Sequence, residues 1–129
     1  MSAMQSELQE LLAVGSRHHV AASAILFAQG DEPAGVYLIC SGMVRLFIRN
    51  PVTGDITFDR SAEPGSLLGL PAVFGDKPYS MSAEVVETSE VAFVPRAEFL
   101  GLMQSNGQLC MRCLQLLSEE VRIARTAIG

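Results

Sequence analysis

The sequence predicts a mainly β domain, an antiparallel sandwich or barrel with a short N-terminal helix and a long C-terminal helix. Three observations predict this class. Residues 24–94 alternate apolar and polar positions in short runs. Gly, Pro and Asp interrupt these runs at regular spacing, as they do between antiparallel strands. The residues before and after this region show helical periodicity instead. Together these patterns indicate one antiparallel sandwich or barrel flanked by helices.

The segment "SELQELLAV" predicts the first helix. Leu8, Leu11 and Leu12 fall on one helical face, a preceding serine can cap the N-terminus, and Gly15 can end the helix. We therefore expect a helix at about residues 4–14.

The sandwich is expected at about residues 18–95. In "VRLFIRN" Val44, Leu46 and Ile48 face one way and the residues between them face the other. Turn residues divide the region into short strands, one division falling at the "SG" of Ser41–Gly42. One face of these strands forms the core, and the other is solvated or lines a pocket.

Helical periodicity returns after Pro95, which predicts helices at about residues 96–127. "RAEFLGLM" forms a short helix, and Ser105 or Asn106 can cap a longer one.

The longer helix carries two adjoining apolar stripes. The first has the spacing of a coiled-coil seam and consists of Cys110, Leu114, Leu117, Val121, Ala124 and Ile128. The second consists of Leu109, Cys113, Leu116 and Ile123. Two stripes favour one face on the sandwich and one on the same helix of a second copy, which predicts a homodimer. The alternative is a single wide apolar face in a groove of its own domain.

Composition limits the partners and the compartment. A chain of 129 residues corresponds to one domain, with no separate DNA-binding domain predicted. The net charge of −5 with nine Lys and Arg gives no general attraction to nucleic acid or anionic lipid. No apolar run has the roughly 18 residues of a membrane span, and the N-terminal segment is unlike a signal peptide. Three cysteines, an odd number, favour reduced thiols and a cytoplasmic location.

Catalytic and metal-binding motifs are weak or missing in the sequence. Cys110 and Cys113 form one CxxC, but there is no second pair, and Cys40 lies in an apolar strand. His18 and His19 are neighbours, so on a strand they face opposite sides. No Gly-x-Ser-x-Gly occurs. We therefore expect neither an enzyme nor a metal site.

Several motifs resemble the cyclic nucleotide-binding domain of the catabolite activator protein and FNR regulator superfamily. "LFAQGDEPAGVYLICSGMVRLFI" has Gly30, Gly35 and Gly42 at the family's turn positions and Tyr37 in its strand. "VTGD" matches a hairpin turn, and "PGSLLGL" leads to a phenylalanine and then to "SAEV". The resemblance covers roughly residues 20–126 and implies a double-stranded β-helix or jelly-roll sandwich of eight or so short strands.

The resemblance also implies a ligand-binding cassette. In the family, backbone N–H groups of a short helix face the cyclic phosphate, and glycine permits the close approach. The corresponding residues are Gly69, Leu70, Pro71, Ala72, Met81, Ser82 and Ala83. The family usually has a glutamate for the ribose hydroxyl where this chain has Leu70, and an arginine for the phosphate where it has Met81. Both charged contacts of the family are therefore replaced by apolar side chains.

These replacements predict weak nucleotide binding. Two lost hydrogen bonds to charged groups, at about 1.5–3 kcal/mol each, reduce affinity by roughly two to four decades. Lys77 or Arg125 are the candidate substitute cations. A gapless alignment places Ala124 where a hydroxyl often meets the base, with Thr126 nearby.

The resemblance implies a non-enzymatic sensory or regulatory domain that signals through a partner protein. We expect that it does not bind cyclic AMP in the usual way. The alternatives are a sensor of haem or another apolar ligand, an inert interaction surface, and a piece of a transcription regulator without its helix-turn-helix.

Overall fold

The computed structural model describes the backbone of residues 6–128 and the side chains of residues 8–119. The elements in chain order are α1 (Ser6–Val14), β1 (Ser16–Val20), β2 (Ile25–Phe27), β3 (Gly35–Arg49), β4 (Ile56–Ala62), β5 (Leu67–Leu68), α2 (Leu70–Gly75), β6 (Ser82–Pro95), α3 (Arg96–Ser105) and α4 (Gly107–Ile128). The predicted mainly β class, with helices at both ends, is confirmed.

All strand pairs are antiparallel, and two long strands form the centre of the sheet. The main order is β1-β6-β3-β4, with β2 paired to β6 and β5 paired to β3. β3 and β6 have 15 and 14 residues and pair from Gly35–Pro95 to Phe47–Ser82. The predicted "VTGD" hairpin turn is confirmed, because it connects the antiparallel strands β3 and β4.

The predicted division of the chain at Ser41–Gly42 is wrong. β3 continues through Gly42, and the pairing with β6 shifts between Ser41, Met43 and Val44. These bulges absorb the extra residues and bend the strand, so that one long strand replaces two short ones. Six strands are therefore present among the described residues, instead of about eight.

Gly42 is required at the bend for two reasons. Its φ is 95°, and a Cβ at this position would lie 2.0 Å from the Oγ of Ser89. The Ser89 hydroxyl is buried, donates to the carbonyl of Glu87 at 2.7 Å and accepts from the N–H of Met43 at 3.1 Å. This hydroxyl satisfies a backbone group that the bulge removes from the regular ladder.

The core consists of two clusters on opposite sides of the central strands. The helix-side cluster contains Leu8 of α1, Leu70 of α2, Phe99 of α3 and Leu109 of α4 together with buried strand residues. The sandwich cluster contains Phe27, Ile39, Val44, Leu46, Phe58, Ala62, Leu68, Ala72, Tyr79, Met81, Ala83, Val85 and Val91. The candidate site lies in the sandwich cluster.

Replacing Gly42 by alanine should destabilise the domain more than the same change at Gly54. Gly54 also has a positive φ, 80°, but nothing lies within 4 Å of a Cβ built there. Gly54→Ala should therefore lower the free energy of unfolding only by the penalty for a left-handed backbone, about 1–2 kcal/mol. Gly42→Ala adds the clash with Ser89, roughly 1–3 kcal/mol more. Urea denaturation of both variants measures the difference, and equal losses would contradict the close approach at Gly42.

Candidate functional site

The segment that resembles a phosphate-binding cassette forms α2, a helix of six residues. Gly69 precedes it with a φ of 95°, and Pro71 lies in the first turn. Because proline has no backbone N–H, the first turn has one donor fewer to offer an anion.

The protein itself occupies the space in front of Gly69. A Cβ at this position would lie 3.1 Å from the carbonyl oxygen of Gly35 and 3.1 Å from the Tyr79 ring. The close approach that glycine allows is therefore made by the protein's own backbone and an aromatic side chain.

Tyr79 is fixed in this position by its ring, its hydroxyl and its backbone. The ring is buried and stacks on Phe27, with the centroids 4.1 Å apart. The hydroxyl donates to the carbonyl of Gly35 at 2.6 Å and accepts from the N–H of the same residue at 3.1 Å. Burial raises the pKa of the Tyr79 phenol, so it remains a donor at neutral pH. The backbone of Tyr79 bonds to Asp31 and Gly30 at 2.9 and 2.8 Å.

What remains of the pocket is small and mostly apolar. Its lining consists of Phe27, Leu46, Leu68, Gly69, Pro71, Ala72, Tyr79, Ser80 and Met81. The cavity has a volume of about 20 Å³, which is room for roughly one water molecule. Sites for small molecules commonly have about 300–1,000 Å³. With Tyr79 and Phe27 in these positions, the cavity is far smaller than such a site.

The structure separates the two residues that replace the family's charged contacts. Met81 lines the cavity. Leu70 was expected to line it as well, but it is fully buried in the helix-side cluster. The α2 helix directs Leu70 and Val73 towards the other helices, and Pro71 and Ala72 towards the cavity. Of these two residues, only Met81 therefore contributes to the cavity wall.

The other cassette residues have structural partners. The Ser82 Oγ accepts a hydrogen bond from the Gln29 N–H at 2.9 Å, and Ala83 is buried in the sandwich cluster. Lys77 is exposed in the loop after α2 and is not part of the cavity lining. Arg125, Ala124 and Thr126 lie outside the residues whose side chains the structure describes.

Sequence reasoning missed Tyr79 and Phe27 as the side chains that fill the pocket. Phe27 ends β2, and Tyr79 follows Pro78 in an irregular loop. Loop periodicity does not reveal where such a ring points. The available indication was a large aromatic residue two positions before Met81.

The cavity does not fit a haem. Its volume is far too small. His18 and His19 are exposed on β1. Among residues 8–119 no group of three or more His, Cys, Asp or Glu side chains is arranged to hold a metal ion.

The two faces of α4 have different surroundings. Leu109 and Cys113 are fully buried in the helix-side cluster, and Cys110 and Leu117 pack partly against it. Leu114 and Met111 are 43% and 58% exposed. The seam residues Val121, Ala124 and Ile128 lie outside the described side chains. Of the described helices, none has the length and apolar character of a membrane span.

The family model for the cyclic nucleotide-binding domain matches residues 17–106. The cyclic AMP receptor protein of Thermus thermophilus is 31% identical over 99 residues, which are 77% of this chain and 45% of that protein. The chain spans about half the length of this relative.

Solved structures show the same fold. The Thermus thermophilus catabolite activator protein has a TM-score of 0.80 at 26% identity, covering 98% of this chain and 59% of that one. The sensor domain of the regulator DNR from Pseudomonas aeruginosa has a TM-score of 0.72 at 25% identity, covering 93% and 80%. These matches confirm the predicted jelly-roll class. The family match and the shared fold show that this chain belongs to the cyclic nucleotide-binding domain family, with regulators of the catabolite activator and FNR type among its relatives.

Proposed function

We propose that this domain is a non-enzymatic regulatory module that does not take a cyclic nucleotide in the family's usual way. One observation carries the proposal: the Tyr79 ring fills the pocket in front of Gly69, and its hydroxyl makes two hydrogen bonds to Gly35. The lack of a cation at Met81 supports the same conclusion.

The energetic penalties for a nucleotide add up. Displacing Tyr79 breaks two buried hydrogen bonds, at about 0.5–1.5 kcal/mol each, and a ring stack of about 0.5–1.5 kcal/mol. Without an arginine at position 81, the phosphate also lacks a contact of about 1.5–3 kcal/mol. Together these terms exceed roughly 3 kcal/mol, or about two decades of affinity.

We extend the proposal to the wider role of the domain by analogy with its relatives. The domain acts in the cytoplasm as a sensory or regulatory part that signals to a protein partner, without contacting DNA itself. The second candidate function is that of one part of a longer transcription regulator, because the chain spans about half the length of the Thermus thermophilus cyclic AMP receptor protein. An apolar ligand that displaces Tyr79 is the third.

The dimer is proposed on the exposed edge of α4. Met111 and Leu114 lie one turn apart and are largely exposed, while the opposite edge is fully buried in the domain. Exposed apolar side chains at helical spacing are favourable positions for contact with the same helix of a second copy.

Cyclic AMP and cyclic GMP at about 1 mM should leave the melting temperature unchanged, because a ligand raises it only when its concentration exceeds its Kd. Differential scanning fluorimetry and calorimetry measure this directly. The Thermus thermophilus relative is the positive control. Micromolar affinity of this chain for either nucleotide would refute the proposal.

Tyr79→Ala should reduce the free energy of unfolding by about 3–5 kcal/mol, because it removes a buried ring. Adding p-cresol, the Tyr79 side chain as a free molecule, should raise the melting temperature of this variant and not that of the wild type. Tyr79→Phe is the matched control, since it retains the ring and loses only the hydroxyl bonds. Equal responses of all three proteins to p-cresol would show that the ring does not fill the pocket.

Leu114→Glu should convert a dimer into monomers, because it places a charge in the proposed contact. Sedimentation equilibrium at micromolar concentration measures the state. Gln115→Glu adds the same charge at the neighbouring exposed position and should remain dimeric. Leu117 is less suited to this test, since it packs partly on its own domain. A monomeric wild type, or a dimeric Leu114→Glu variant, would contradict the proposal.

A further inference from the structure

Arg60 is an arginine on the inward side of β4. Along this strand Phe58 and Ala62 are buried, and Arg60 is half-buried between them on the same face. Phe58 and Ala62 belong to the sandwich cluster that surrounds the candidate cavity. Arg60 also pairs in register with Leu46, which lines that cavity. A charged side chain thus occupies a position that the strand pattern otherwise gives to the core.

Within residues 8–119, the Arg60 guanidinium has no ion-pair partner. Its Nε–H is buried and donates no hydrogen bond within this part of the chain. The nearest acidic residue in sequence, Asp59, is held by Arg45 through two hydrogen bonds of 2.9 and 2.7 Å. Arg45 also lies 3.7 Å from Glu84.

An unpaired polar group of this kind requires an explanation. A buried donor without a partner costs about 1–3 kcal/mol, and more when it is charged. The chain has a net charge of −5, so carboxylates are abundant, yet none pairs with Arg60 within the described part. Within residues 8–119 the guanidinium is therefore open to an anion from outside the chain.

We propose that Arg60 is the anion-binding residue of this domain and that its ligand is a small molecule with an oxyanion, a carboxylate or a phosphate ester. The planar guanidinium offers paired donors that match both groups. The assignment rests on the proposed function and deepens it, because it places the charged ligand contact on β4 instead of at position 81. β4 is also a strand that contacts α4, the helix with the proposed dimer edge. A ligand bound at Arg60 would thus lie on a strand that contacts this helix.

The test compares two matched variants of the full chain. Arg60→Met keeps the length of the side chain and removes the charge. Arg112→Met is the control, since Arg112 on α4 also has a buried Nε without a partner. Inorganic phosphate and benzoate are the probes, each against sodium chloride of equal ionic strength, and thermal unfolding is the readout.

At about ten times its Kd, a bound probe should raise the melting temperature by about 4 °C. We expect this rise in the wild type and in Arg112→Met, and its loss in Arg60→Met. Without a probe, Arg60→Met should melt at or above the wild-type temperature, because an unpaired half-buried charge has been removed. Phosphate and benzoate distinguish the two oxyanion classes.

Three results would overturn the assignment: no rise in the wild type with either probe, a rise that persists in Arg60→Met, or a rise lost only in Arg112→Met. If Arg60→Met does not fold, the Arg60 Nε–H resonance of the wild type provides the answer. It should shift on titration with the effective probe, and an unchanged resonance would contradict the proposal.

The same measurement with cyclic AMP distinguishes a failure of this assignment from a failure of the proposed function. A rise with cyclic AMP that disappears in Arg60→Met would refute the proposed function and support Arg60 as the anion contact. A rise with cyclic AMP that persists in Arg60→Met, without any effect of phosphate or benzoate, would refute both.

Discussion

The rest of the site depends on one interaction, the contact of Tyr79 with the start of β3. Its hydroxyl both donates to and accepts from the backbone of Gly35. Its ring lies against Gly69 and stacks on Phe27. The residue thereby joins the cassette loop, β2 and β3 in a single packed unit. Gly69, in the segment that resembles the family's cassette, here admits an internal aromatic ring.

At position 81, electrostatics and packing both favour a cavity filled by the protein's own side chains. At position 81 a methionine replaces a cation, and a thioether packs well beside the aromatic rings that occupy the cavity. An arginine there would be a buried charge without a partner, which is costly. Arg60 lies beside this cluster on β4, paired in register with Leu46 of β3.

The described part of the C-terminal helix has a buried apolar face and exposed apolar residues beside it. Leu109 and Cys113 complete the helix-side core, and desolvation by this core raises the pKa of Cys113 to about 11. This thiol is therefore protonated and unreactive at neutral pH. Met111 and Leu114, on the adjoining edge, remain exposed. Cys110 lies between the two surfaces, so its CxxC spacing reflects helix packing.

Local patterns determined the fold class, the two terminal helices, the "VTGD" hairpin and the apolar residue at position 81, because alternation, periodicity and turn chemistry are properties of neighbouring residues. Tertiary structure decided the rest. Gly42 became a bulge inside β3 because Ser89, distant in sequence, supplies the missing hydrogen bond. Leu70 lies outside the pocket because α2 packs against α4, which buries this side chain in the helix-side cluster. Tyr79 fills the pocket because Gly35 and Phe27 meet it only after the sheet has formed. Such contacts join residues that are far apart in the chain, and a single sequence does not display them.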